Sequence, residues 1–329
     1  MARAPSTEDA LAAIHAIRQA PEKYDLKRDL APFLTHKSNH VVAAAARTVE
    51  RLELADLAPD LTEAWDRLMT DPVKRDQGCK ALIAIAQALV QMDDPAAKVY
   101  FAGIRHVQKE GSFSVAGPRA VDVAAPLRGL CARGLARMGH PDALLECVTL
   151  LADREIPARA GAIRAISEAG RQEGALLLRL KALVSDDEDE IAGECFSGLL
   201  HLDPARSVEF VAKFLRSDSE ETSQQAALAL GESRLAAAFE VLRKAWEQGV
   251  SQERRRTLLI AIAMLRSEDA IEFLLRALGE ASPSVAADAL AGLAFYARDE
   301  AVLSRVEKIV RDRGEAALQA VFAREFSRS

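Results

Sequence analysis

An internal repeat of about 32 residues constrains this chain more than any other feature of its sequence. Six apolar residues recur at spacings of 31, 34, 30, 34 and 31, namely Leu135, Ile166, Leu200, Leu230, Met264 and Phe295. Thirteen positions before each of them stands an Asp or a Ser: Asp122, Asp153, Asp187, Ser217, Ser251 and Ser282. Side chains of these two types accept hydrogen bonds from the free N–H groups at a helix start. The pattern therefore predicts a helix N-cap at one position of every repeat.

Each repeat predicts two amphipathic helices, a first helix A and a second helix B. Half of the residues are apolar and only 5% are aromatic, so the core is expected to consist of strong helix formers such as Ala and Leu. The predicted A helices include 141–152, 204–216, 234–248 and 268–280. The predicted B helices include 155–169, 188–202, 220–232 and 283–297.

Stacked helix pairs of this kind predict an all-α fold, a right-handed α-solenoid of about eight to nine helix pairs. Residues 1–329 are expected to form one solenoid, with residues 1–24 as the N-terminal cap, 25–298 as the repeats and 299–329 as the C-terminal cap. Residues 110–121 lengthen one turn between helices and predict a loop that exposes Phe113. This loop is either a contact element or a spacer, and the sequence leaves both roles open.

Three stretches carry a resemblance to a known family: LRGLCARGLARMG at 127–139, ARAGAIRAI at 158–166 and QAALALG at 225–231. They resemble the HEAT-repeat family, close to the bacterial phycobilisome-lyase-like HEAT proteins. The resemblance implies a ladder between repeats, built from an Asp in the turn and an Arg six residues later. Asp122 with Arg128 and Asp153 with Arg159 match that rule. Other residues stand at the later Arg positions, so an interrupted ladder is expected: Gly193, Ser223, Thr257 and Asp288.

The sequence contains no recognisable catalytic or metal-binding motif. None of the six His residues is followed by Glu, which argues against the di-iron enzymes built from HEAT-type repeats. The four Cys residues show no C-x-x-C spacing, and phosphate-binding, dinucleotide-binding and zinc-protease motifs are absent. We therefore expect no catalytic residue, no cofactor and no metal. A beginning without an apolar segment predicts a cytoplasmic protein without a membrane partner.

Charge indicates the class of partner. The net charge of −6 argues against nucleic acid, because phosphate binding needs a basic face. Residues 72–184 nevertheless hold 16 Lys and Arg against 11 Asp and Glu. The expected function is a non-catalytic scaffold that binds a protein or peptide, with an acidic segment as ligand, on the concave face of the B helices. The candidate binding residues are Arg105, His106, Phe113, Arg119, Arg133, Arg137 and Arg164.

Three alternatives to this interpretation stay open. The arginines outside the ladder are also compatible with ordinary solvated helix faces, because structural ion pairs are common. A phycobilisome-lyase-like accessory enzyme or chaperone, acting on a client protein, is implied by the resemblance alone. A nucleic-acid binder is the third alternative, and salt-dependent binding would identify it.

Overall fold

The structure is a computed structural model that describes residues 6–114, 117–184, 188–249 and 251–326, without the side chains of residues 112–119. It divides into two compact units, Met1–Gly174 and Ala175–Ser329. Both units are all-α stacks of helix pairs, which confirms the predicted α-solenoid class. In the part of the chain that is described, no helix is both long and apolar enough to span a membrane.

Unit 1 contains the helices α1 to α10 and one hairpin. The helices are α1 (Thr7–Gln19), α2 (Leu26–Leu34), α3 (Asn39–Arg51), α4 (Ala58–Met69), α5 (Pro72–Arg75), α6 (Lys80–Gln91), α7 (Ala97–Ile104), α8 (Ala125–Arg137), α9 (Ala143–Leu151) and α10 (Ile156–Glu168). The strands β1 (Lys109–Ser114) and β2 (Gly117–Asp122) lie between α7 and α8. The B helices α3, α6, α8 and α10 pack against one another in that order.

Unit 2 is also built from stacked helix pairs. After α11 (Gln172–Val184), which begins in the last residues of unit 1, come α12 (Asp189–Leu202), α13 (Pro204–Ala212), α14 (Glu220–Ser233), α15 (Ala236–Glu247), α16 (Gln252–Met264), α17 (Glu268–Glu280), α18 (Pro283–Leu293), α19 (Glu300–Arg313) and α20 (Ala316–Phe326). Single 3-10 turns, Lys213–Arg216 and Ala294–Tyr296, extend α13 and α18. The B helices α12, α14, α16 and α18 pack in sequence.

The B helices approach one another closely because small residues lie where they meet. In unit 2, a Cβ atom on Gly231 of α14 would lie 2.4 Å from the carbonyl oxygen of Ala261 on α16. This distance is shorter than van der Waals contact, so a side chain at this position would push the two helices apart.

The predicted N-caps differ from the observed ones at two of the aspartates. The N-cap residues of α8 and α10 are Ala124 and Glu155. Asp122 and Asp153 lie two residues earlier, and each carboxylate accepts from the backbone N–H of the N-cap residue, at 3.1 and 2.9 Å. An Asp side chain readily bonds the backbone two residues on, so both form a turn that leads into the helix instead of capping it.

The serines in the same repeat position behave differently from one another. Ser251 is the N-cap of α16 and accepts from the N–H of Arg254 at 3.3 Å. Ser282 is the N-cap of α18 without a side-chain bond. Ser217 lies two residues before the N-cap Ser219 and accepts from its N–H at 3.2 Å. Asp187 lies outside the described residues.

The insertion at 110–121 is an antiparallel hairpin, where the sequence predicted a loop. Its register pairs Lys109 with Asp122 and Ser114 with Gly117. An isolated two-stranded hairpin is marginal in water, so its base requires an anchor. The Glu110 carboxylate supplies one, because it accepts from the N–H of Gly78 at 2.9 Å. The side chain of Phe113 lies outside the described residues, so its predicted exposure stays a prediction.

Candidate functional site

A buried ion-pair ladder crosses the turns of unit 1, centred on Arg128. This guanidinium is 4% exposed and donates to Asp122 at 2.7 Å and to Asp153 at 2.9 and 3.0 Å. A further N–H of Arg128 reaches the carbonyl oxygen of His106 at 3.0 Å. Because α8 and α10 follow the turns that carry the two aspartates, Arg128 ties neighbouring repeats together.

The ladder extends toward the N-terminus through residues that the sequence analysis did not select. The N–H of Gln108 donates to Asp122 at 3.1 Å, and its side-chain amide donates to the carbonyl oxygen of Asp76 at 2.9 Å. Asp76 is fully buried and accepts from Asn39 at 2.9 Å and from the N–H groups of Ala81 and Leu82.

A signal for Asp76 was present in the sequence. It stands thirteen positions before the buried Leu89, which is the same spacing as in the later repeats. The hairpin lengthens the interval between Asp76 and Asp122 to 46 positions, so the repeat of about 32 residues is not visible at this point of the sequence.

The electrostatics of the ladder indicate a structural role. Burial alone would raise the pKa of Asp122, but bonds from the N–H groups of Gln108 and Ala124 and from Arg128 outweigh it, so the pKa is lowered. Burial acts to lower the pKa of Arg128, and the two aspartates more than reverse this effect. Asp122 and Arg128 thus hold each other in the ionised form, which suits a structural clamp.

The ladder changes character beyond Asp153. Arg159 donates to the carbonyl oxygens of Asp153 and Arg154 at 2.9 and 3.0 Å, so it closes the turn of its own repeat. In unit 2, the Asp189 carboxylate accepts from the hydroxyl groups of Ser219, at 3.0 Å, and Thr222. Asp189 is the first residue of α12, whereas the predicted ladder residue Asp187 lies outside the described residues, so the expected interruption stays a prediction.

Three of the candidate binding arginines form ion pairs with neighbouring elements. Arg105 bonds Glu146 at 2.5 Å and lies over the ring of Phe101, Arg133 bonds Glu168 at 2.8 Å, and Arg137 bonds Asp93 at 2.7 Å. These pairs lie at separate places, after α7, between α8 and α10, and at the end of α8. These three arginines therefore lie in separate contacts and do not line one common pocket.

The remaining candidates differ in how much of them is described. Arg164 is exposed on α10. The ring of His106 lies 3.0 Å from the side-chain oxygen of Gln108 and so belongs to the neighbourhood of the ladder. The side chains of Phe113 and Arg119 lie outside the described residues, although both backbones are part of the hairpin.

The cysteines are buried and poorly suited to nucleophilic chemistry. All four are free thiols in the core. Burial raises the pKa of Cys79 and Cys131 far above the usual range, and that of Cys147 to about 12. The reactive form is the thiolate, so the raised pKa makes Cys79, Cys131 and Cys147 poor nucleophiles near neutral pH. Among the described residues, no group of three or more His, Cys, Asp or Glu side chains is arranged to hold a metal ion.

Among the described side chains, the most exposed apolar surface lies on α11. Four of its side chains are more than 60% exposed: Leu176 at 70%, Leu180 at 61%, Leu183 at 64% and Val184 at 69%. They are spaced i, i+4, i+7 and i+8, so they share one face of the helix. We call these four residues the α11 stripe. The opposite face, with Ala175, Leu178 and Ala182, is buried. Sequence periodicity does not predict this stripe, because periodicity alone does not tell which of two apolar faces is covered.

The fold and the ladder define the class as an α-solenoid built from helix pairs. Residues 176–263 match the family model of HEAT repeats, so the chain contains HEAT repeats in this segment, as predicted. This match runs from within α11 to the last turn of α16 and lies wholly in unit 2.

Two solved structures are similar to this chain at low sequence identity and low TM-score. One is the crystal structure of an engineered protein, 16% identical, covering 97% of this chain and 93% of that chain, with a TM-score of 0.38. The other is the complex of CpcE and CpcF of phycocyanin lyase from Nostoc sp., 15% identical, covering 89% of this chain and 94% of that chain, with a TM-score of 0.35. A comparison with curated proteins finds none that matches the chain.

Proposed function

We propose that this chain is a non-catalytic protein-binding scaffold that uses the α11 stripe as its main contact surface. The observation that supports the proposal is the exposure of Leu176, Leu180 and Leu183, which are all above 60% exposed on one helix face. Transfer of a leucine side chain out of water stabilises a complex by about 1.5–3 kcal/mol. Contiguous apolar patches on a soluble protein commonly mark a protein interface.

The occupant that fits this stripe is an amphipathic helix of a partner protein. The stripe is a straight ridge about 12 Å long, given a rise of about 1.5 Å per residue. Ridges of this kind pack into the groove of a second helix, and an apolar face of two to three turns provides the matching surface. The buried opposite face holds α11 in place, so the surface is preformed.

A double substitution tests the α11 stripe directly. Leu176→Gln with Leu180→Gln should retain the helical spectrum and the melting temperature, because both side chains are exposed. The partner proteins that are recovered with the wild-type chain should no longer be recovered with this variant. The control is Val73→Gln with Val107→Gln, which changes two exposed residues of unit 1, at 48% and 56% exposure. Equal recovery by both doubles would contradict the proposal.

Light scattering distinguishes a second possible occupant. If the wild-type chain is a dimer in solution and the Leu176/Leu180 double variant is a monomer, the stripe binds a second copy of the chain. In that outcome the partner helix proposed above is wrong.

We further propose a second contact surface on the B helices α8 and α10, where an acidic segment would meet Arg133 and Arg164. The pair between Arg133 and Glu168 is about one-third exposed, at 29% and 34% of the two side chains. A pair of this kind contributes only about 0–1 kcal/mol, so an incoming carboxylate can replace Glu168 at little cost.

A further inference from the structure

A cavity of about 520 Å³ lies between α15 and α17 of unit 2, and its floor is aromatic. The ring of Phe273 meets Phe239 at a centroid distance of 6.1 Å and Trp246 at 5.2 Å, both close to perpendicular. The cavity falls within the size range of small-ligand sites, about 300–1,000 Å³. Edge-to-face packing fixes the rings, so the aromatic surface is formed before any ligand arrives.

The rim of this cavity is acidic. It is lined by the carboxylates of Glu247, Asp269, Glu272 and Glu280 and by the guanidinium groups of Arg243 and Arg276, four negative charges against two positive ones.

Several of these charges are already satisfied. Arg243 bonds Glu240 at 2.8 Å and Glu247 at 2.6 Å, and Glu272 bonds Arg305 at 2.6 Å. Among the described side chains that line the cavity, Asp269, Glu280 and Arg276 form no ion pair. Two exposed carboxylates and one exposed guanidinium are therefore unpaired at the edge of the aromatic surface.

Trp246 adds an unpaired hydrogen-bond donor to this cavity. Its indole nitrogen is buried and has no hydrogen-bond acceptor within the described part of the chain. An unpaired buried donor is unfavourable, so a ligand carbonyl group that reached the indole nitrogen would stabilise the complex. A peptide backbone supplies such carbonyl groups, whereas a simple cation does not.

We infer that this cavity, the α15–α17 groove, binds an arginine side chain from an extended basic segment of a partner protein. A cation placed over an aromatic face is attracted by the ring, and arginine also bonds carboxylates with its planar fork. The chain already uses this pairing, since Arg179 lies 4.5 Å from the ring centre of Phe210. The groove consists of other helices than the α11 stripe, and its occupancy does not depend on that stripe.

Intrinsic fluorescence provides the test, because Trp246 lines the groove while Trp65 is 2% exposed and serves as a constant background. The full-length chain is titrated with acetyl-Gly-Arg-Gly-Arg-Gly-amide. The expected result is a saturable change in emission with a Kd on the order of 0.1–1 mM, typical of a contact of a few side chains. The same peptide with citrulline in place of arginine should bind at least about fivefold more weakly, because it keeps the shape and loses the charge.

Two variants locate the binding in the groove. Phe239→Leu removes one ring, and Asp269→Asn with Glu280→Gln removes the unpaired carboxylates; each should weaken binding about fivefold or more. The matched control, Glu307→Gln with Asp312→Asn, makes the same charge change on exposed positions of α19 and should leave the Kd unchanged.

Other outcomes would overturn the inference. They are equal binding of the arginine and citrulline peptides, no saturable change below about 5 mM peptide, or an equal effect of the control double variant. Methylguanidinium binding as tightly as the peptide would show a site for a free cation and not for a peptide. The Leu176→Gln/Leu180→Gln variant should keep full affinity, so a failure of the α11 stripe and a failure of this groove are separable.

Discussion

Gly161 of α10 and Gly129 of α8 meet backbone to backbone: a Cβ atom on Gly161 would lie 2.3 Å from the Cα of Gly129. A Cβ atom on Gly129 would in turn lie 2.7 Å from the Cα of Gly161, which is nearly as close. Since both positions are helical and buried, the glycines serve close approach and not turn formation. The contact sets the spacing of the two turns that Arg128 bridges.

The first prediction is that Gly161→Ala destabilises unit 1. The added methyl group overlaps the backbone of α8, and overpacking of this kind costs about 1–3 kcal/mol. Urea unfolding followed by circular dichroism should show the loss. The control is Gly279→Ala in α17, where the nearest atom to the new Cβ is 3.8 Å away. That change should stabilise the chain by about 0.5–1 kcal/mol, because alanine favours the helix.

The second prediction is that Arg128→Met lowers the free energy of unfolding strongly. The substitution preserves much of the side-chain volume and leaves Asp122 and Asp153 without their cation, at 7% and 17% exposure. Removal of one member of a buried ion pair costs about 3–5 kcal/mol. Chemical denaturation measures the change.

A second arginine in α8 serves as the control for this substitution. Arg137→Met breaks a pair whose Asp93 side chain is 65% exposed, and it should cost at most about 1 kcal/mol. Similar losses in the two variants would show that the ladder is not a clamp.

Several helices could be predicted closely from the sequence, because they are bounded by residues with local preferences. The predicted helix 268–280 coincides with α17, which follows the N-cap Ser267. Pro283 begins α18 at its predicted first residue, where a missing N–H costs nothing. Helix starts and apolar periodicity are local properties, so they are visible in a single sequence.

The contacts between repeats could be predicted only in part. The Asp–Arg rule placed Arg128 near its aspartates, whereas the involvement of Gln108 and Asp76 depends on how the hairpin base folds back onto α6. The same limit applies to α11, where Leu178 and Leu180 are alike in sequence and opposite in burial, at 0% and 61% exposure. Which apolar face is covered is decided by the packing of the neighbouring helices.

The third prediction concerns pH. Burial raises the pKa of Asp288, and Arg256 and Arg255 offset only part of this effect. The nearest guanidinium nitrogen, on Arg256, is 3.9 Å away, and Oδ2 is buried without a hydrogen bond. The folded chain therefore favours the protonated carboxyl group of Asp288. The stability that this preference contributes is present at low pH and is lost as the pH rises from the ordinary aspartate range through the raised pKa.

Asp288→Asn should therefore stabilise the chain at pH 7, by about 1 kcal/mol, because it removes an unsatisfied buried charge. The advantage over the wild type should shrink as the pH falls toward the ordinary aspartate range, where the wild-type carboxyl group becomes neutral as well. Unfolding measured at several pH values between 7 and 4 follows this trend. An advantage that grows toward low pH would mean that the sign assigned to Asp288 is wrong.

The last prediction concerns the B-helix surface. Changing Arg133 and Arg164 together to Glu should abolish recovery of an acidic partner, because a carboxylate ligand would then face two like charges. The helical spectrum should be unchanged and the melting temperature nearly so, since the pair between Arg133 and Glu168 is partly exposed. The control, Lys27→Glu with Arg28→Glu on exposed positions of α2, changes the net charge equally and should preserve recovery. Quantitative mass spectrometry measures the recovery of the partner. Full binding by the Arg133/Arg164 variant would show that these two arginines are not part of the binding surface.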